Sequence, residues 1–135
     1  MKVKVVVDTN VIITALISGD SSLLTKLLDS KISLVSPKFI ITELFKHAPR
    51  IFSQSNLPKD SVLRLLSLLI DRIYLFNEKQ ISIGNWVEAN RLCRDVDVKD
   101  MSFVALALEN EAYLWTNDKK LKLGLKRMGF FKIYK

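Results

Sequence analysis

Short apolar runs alternate along this chain with longer amphipathic ones. Val3 to Val7 is an apolar run ended by Asp8-Thr9-Asn10, the pattern of a strand buried on both faces. Val11 to Ile17 and Ser22 to Ser30 read as helices, the second carrying Leu23, Leu24, Leu27 and Leu28 on one side. Ile32 to Val35 reads as a short strand, and Ser36-Pro37 is expected to cap and open a helix bearing Phe39, Ile40, Ile41, Leu44 and Phe45. Pro58 opens a further helix with Leu63, Leu65, Leu66, Leu69 and Ile70, followed by a strand from Arg72 to Phe76. Gly84 to Arg94 and Lys99 to Asn110 read as helices, Ala112 to Thr116 as a strand, Lys119 to Met128 as a basic helix, and Phe130 to Tyr134 as a closing strand. With no internal repeat and no linker-like stretch, the alternation predicts one α/β domain over residues 1–135, a parallel sheet between layers of helices.

Composition narrows the class. Apolar residues make up 49% and charged residues 26% of 135 positions, with four Gly and three Pro, so the chain can bury a core and is neither disordered nor collagen-like. Cys93 is the single cysteine, which excludes an internal disulfide, and no Cys or His pair has zinc-ligand spacing. The apolar stretch after Met1-Lys2 is too short for a signal-peptide core, and no apolar run has membrane-spanning length, so a soluble cytoplasmic protein is expected.

Charge changes the picture more. The net charge is +7, but residues 118–135 hold seven basic groups against one acid, while the other 117 residues hold 14 basic and 13 acidic groups. A basic end on a balanced domain points to a polyanion, nucleic acid first and a membrane surface second, against the plainer reading of a solvated helix face.

In an open α/β sheet, ligands bind outside the carboxyl ends of the strands. Asp8 ends the first strand and Asp118 follows Tyr113-Leu114-Trp115-Thr116 by two residues, although either position also suits a turn or helix cap. Asp100 heads the apolar face formed by Phe103, Val104 and Ala107. A carboxylate there calls for a cation or a shifted pKa, unless Asp97 and Asp100 simply favour the helix N-terminus. Glu43 borders the apolar stripe of its helix. His47, four residues later, makes a metal pair conceivable but more often reads as a surface or hydrogen-bonded residue.

Together, Asp8-Thr9-Asn10-Val11-Ile12-Ile13, Glu43, Asp100 ahead of Phe103-Val104-Ala105-Leu106-Ala107, and Thr116-Asn117-Asp118 resemble the PIN-domain nuclease family over essentially the whole chain. The nearest likeness is to prokaryotic VapC-type toxin components of toxin-antitoxin pairs. The resemblance implies a three-layer α/β/α domain with a central, mostly parallel sheet, and an acid cluster of Asp8, Glu43, Asp100 and Asp118 binding Mg²⁺ or Mn²⁺ to cut RNA, with Asp97 a weaker fifth candidate. Thr9, Asn10, Thr116 and Asn117 look like the family's polar supporting residues, and a homodimer and a cognate antitoxin are implied partners. An all-carboxylate set suits a hard divalent cation better than zinc, and such an ion acidifies water and offsets phosphodiester charge. Asp8 and Asp118 are expected to bind it directly, Asp100 directly or through water, with Glu43 completing the site or positioning the attacking water. Lys119, Lys122 and Lys126 form a stripe expected to hold RNA without sequence preference.

Other classes fit less well. An aspartyl-phosphate enzyme would need D-x-D-x-T where Asp8-Thr9-Asn10 stands, and the P-loop spacing of Gly124 and Gly129 is followed by Phe130 instead of lysine. The stronger rival is a non-catalytic RNA-binding or regulatory module. Trp86, Ala89 and Cys93 read as a core stripe, and the leucines between Leu57 and Ile70 as core or a self-association face.

Overall fold

In the computed structural model, residues 2–94 and 98–135 are described. Four strands form one all-parallel sheet in the order β3-β2-β1-β4: β1 (Val3–Val7), β2 (Ile32–Pro37), β3 (Ile73–Phe76) and β4 (Tyr113–Trp115). Val5 of β1 pairs with Leu34 on one side and Tyr113 on the other. Seven α-helices among the described residues cover the sheet: α1 (Thr9–Ser18), α2 (Ser21–Leu27), α3 (Ile40–Gln54), α4 (Lys59–Arg72), α5 (Ile83–Leu92), α6 (Met101–Asn110) and α7 (Lys119–Arg127). This is the three-layer α/β/α arrangement expected from the sequence. None of these helices is long and apolar enough to cross a membrane.

The period-2 alternation of strands sorts the core into two layers. Val5, Val7, Leu34, Ile73 and Trp115 face one cluster with α1, α3 and α4, where Ile12, Leu16, Ile40 and Leu69 are buried. Val6, Val35 and Leu114 face the other, with Ala89, Phe103, Val104, Leu106, Leu121 and Leu125 from α5, α6 and α7. β1 is covered on both faces, and Val5, Val6 and Val7 are fully buried, as a continuous branched run requires. Trp86, Ala89 and Cys93 do pack together in the second cluster.

Four local expectations are corrected. Ser36-Pro37 does not open a helix: the Ser36 hydroxyl is buried and donates to the Val7 carbonyl (2.8 Å), while Pro37 pairs with Phe76, so both residues extend β2 and α3 begins only at Ile40. Arg72 closes α4 instead of starting β3, and its guanidinium donates to the carbonyls of Leu27 (2.8 Å), Asp29 and Ile32 (3.1 Å), tying the helix end to the loop before β2. Val98–Asp100 form a 3-10 turn that precedes α6. The closing segment Phe130 to Tyr134 contributes only one bridge, Leu114 to Ile133, because two of its backbone bonds are to Leu114 alone.

Candidate metal centre and nucleic-acid face

Chain order reverses about β1, since β2 and β3 lie on one side of it and β4 on the other. The crevice beyond the carboxyl ends of β1 and β4 is therefore the expected ligand position, and carboxylates converge there. A cavity of about 250 Å³ is lined by Asp8, Thr9, Asn10, Glu43, His47, Lys99, Asp100, Phe103 and Asp118. Its four acids come from the β1–α1 junction, α3, the turn before α6 and the β4–α7 junction.

Asp8 is both a helix cap and a cavity group. Its Oδ1 accepts from the Asn10 N–H (3.2 Å) at the start of α1, and its Oδ2 accepts from the Thr116 hydroxyl (2.8 Å), a bond that crosses from β1 to the end of β4. Only 4% of its surface is exposed. Burial pushes its pKa up, the two hydrogen bonds work against that rise, and the charges of Glu43 and Asp118 add to it.

Asp118 has the same double duty at α7. Its Oδ1 accepts from the Leu121 N–H (3.1 Å), and its own N–H donates to the Thr116 hydroxyl oxygen (3.1 Å), so Thr116 links the two aspartates. Thr9 links another pair of elements: its hydroxyl donates to Glu43 Oε1 (2.8 Å), fixing the carboxylate of α3 against the start of α1. Asp100 is half-buried where the 3-10 turn meets α6, close enough to Cys93 that its charge adds to burial in pushing that thiol up to about 11. Cys93 is thus a neutral core thiol at physiological pH.

Asn117 is exposed and does not line this cavity, and Asp97 lies outside the described residues. Lys99 and Phe103 also line the cavity, though neither is a site candidate from the sequence, and His47, a surface or hydrogen-bonded residue by that reading, is half-buried and lines it too. The signal for His47 was its spacing, one helical turn after Glu43. Lys99 carried no signal beyond adjacency to Asp100.

The profile of the PIN domain family matches residues 6–132. The chain belongs to the PIN domain family. No curated protein matches it significantly in sequence. Its fold is similar to that in the crystal structure of VapBC2 from Rickettsia felis bound to a DNA fragment from their promoter, with a TM-score of 0.70, 16% identity and 97% of each chain covered. The acid-lined cavity of this PIN domain presents carboxylate, hydroxyl and amide oxygens, a hard donor set. Among the described residues, no three His, Cys, Asp or Glu side chains come together closely enough to ligate one ion jointly.

Proposed function

We propose that residues 1–135 act as one metal-dependent ribonuclease domain, the toxin of a toxin-antitoxin pair working in the cytoplasm. The observation that carries this reading is the convergence of Asp8, Glu43, Asp100 and Asp118, from four separate elements, on one polar cavity at the carboxyl edge of the sheet. Four carboxylates around one cavity repel each other and a phosphodiester alike, so the arrangement makes sense as a cation site. Asp8 and Asp118 would hold Mg²⁺ or Mn²⁺, with Asp100 acting through a retained water. Such an ion, when bound, supplies positive charge to the phosphate and lowers the pKa of water. Glu43, whose carboxylate accepts from the Thr9 hydroxyl, would complete the site or position the attacking water. Thr116 and Asn10 hold the Asp8 carboxylate in a fixed orientation.

The phosphate backbone has its own surface. α7 starts at Asp118, buries Leu121 and Leu125, and carries Lys119, Lys122 and Lys126 away from the cavity. These lysines would hold RNA beside the acids. An antitoxin partner is supported by the structural similarity to a VapBC complex, and a homodimer by the exposed Leu63, Leu68 and Phe45 of α3 and α4.

The test is cleavage of a mixed RNA pool by the wild type and by Asp8→Asn, each with EDTA, Mg²⁺ or Mn²⁺. Metal-dependent cutting that the variant loses by 100-fold or more is expected. Equal cutting by both proteins removes Asp8 from the site. RNA binding without cutting by either favours the non-catalytic RNA-binding module.

A further inference from the structure

Beside the acid cavity lies a second and more open one of about 410 Å³, lined by Phe39, Thr42, Glu43, Lys46, Lys99 and Ser102. Glu43 and Lys99 line both cavities, so the two adjoin. Its size falls within the roughly 300–1,000 Å³ typical of small-molecule sites. Its chemistry differs from the first, with one aromatic ring, two ammonium groups and two hydroxyls around a single carboxylate.

We propose that this second cavity receives one unpaired base of single-stranded RNA, next to the phosphodiester held at the acids. The inference rests on the nuclease reading of the neighbouring cavity and deepens it by naming where a base would sit. Phe39 is the platform. Its half-buried ring meets the ring of buried Phe103 edge-on, with centroids 5.4 Å apart at 69°, and the preceding Lys38 N–H is anchored to the Phe76 carbonyl (3.0 Å). A ring fixed in this way offers stacking at little entropic cost. Every base has a π-face, so stacking tolerates any sequence. The hydroxyls of Thr42 and Ser102 each donate and accept, which suits the edge of a base.

The two lysines explain how a phosphate chain enters a region with four carboxylates. Lys46 follows Glu43 by three residues on α3, and Lys99 precedes Asp100. Ammonium groups beside the acids offset repulsion of the flanking phosphates. A base in a duplex has both faces stacked and its pairing edge occupied, so only an unpaired nucleotide can reach Phe39.

The experiment measures binding in EDTA by fluorescence anisotropy, using a short single-stranded RNA of mixed sequence, its abasic counterpart with the sugar-phosphate chain intact, and the same RNA annealed to its complement. The wild type is expected to bind the intact strand about tenfold or more tightly than the abasic strand or the duplex. Phe39→Leu should lose most of that preference while binding the abasic strand unchanged, which also shows that it is folded. Phe39→Tyr should keep the preference, and Lys46→Glu should weaken binding of both single strands. Equal wild-type affinity for intact and abasic strands, no RNA binding at all, or full preference in Phe39→Leu overturns the subsite. The nuclease reading fails separately, through absent metal-dependent cleavage, because base preference is measured without metal.

Discussion

At the scale of single residues, Asp8 is the position where stability and function oppose each other. Its folded-state pKa lies above the ordinary 3.8 because it is buried near two other acids. The folded chain therefore holds this proton more tightly than the unfolded chain. Stability is greatest below the unfolded value, falls as pH rises through the window up to the raised pKa, and stays lower above it. In EDTA at pH 7, Asp8→Asn should melt a few degrees higher than the wild type, and the gap should close as pH approaches 4, as read by circular dichroism. An Asp8→Asn protein that melts lower at pH 7 would mean that the carboxylate's two hydrogen bonds outweigh its burial. A cation reverses the balance by binding the folded carboxylate. Millimolar Mg²⁺ or Mn²⁺ should raise the wild-type melting temperature and leave that of Asp8→Asn in place, and an unchanged wild type would count against the acid cluster.

At the scale of elements, two helix ends show what backbone conformation contributes. Gly19 ends α1 at φ 65°, and a Cβ there would come within 2.9 Å of Leu57 Cγ, so Gly19→Ala adds left-handed strain to a side-chain clash. A loss of about 2 kcal/mol by urea denaturation is expected. Glu111 ends α6 at φ 50°, a conformation costly for any residue with a Cβ, so Glu111→Gly should gain about 1 kcal/mol by the same measurement. If Glu111→Gly gains nothing, a side-chain interaction of Glu111 offsets the strain. Local chemistry of this kind is what sequence exposes, and it explains how much of the fold was legible. Each strand was a short apolar run, β-branched in β1 and aromatic-rich in β3 and β4, and the acids at the ends of β1 and β4 followed from topology. The misreading at Ser36-Pro37 came from outside the segment: the pair has the residue types of a capped helix start, but the Val7 carbonyl and the β3 partner hold it extended. The site divides the same way. That Asp8 and Asp118 sit at strand ends was visible, whereas the Thr9 bond to Glu43 and the Thr116 bond to Asp8 join residues 34 and 108 positions apart and exist only once the sheet is assembled.

At the scale of the whole molecule, charge is arranged so that attraction and chemistry occupy adjacent places. Four acids line the crevice at the point where strand order reverses, while the excess of positive charge lies in residues 118–135, most of it on the helix that Asp118 caps. Because Asp118 both lines the cavity and starts α7, the lysine stripe has a fixed direction from the acids. A phosphate chain running along Lys119, Lys122 and Lys126 is brought toward the cavity by the same residue that ends it. Each lysine that neutralises a phosphate of a single strand contributes about 0.7 to the slope of log affinity against log salt. Replacing all three with Gln leaves Leu121, Leu125 and the Asp118 cap untouched, so the helix should persist. The slope for single-stranded RNA should then become shallower by about 2, with affinity at low salt falling far more than affinity at high salt. An unchanged slope would place the phosphate contacts elsewhere on the chain, with the cluster of Lys2, Lys4 and Lys132 around Tyr113 at the opposite edge of the sheet as the alternative.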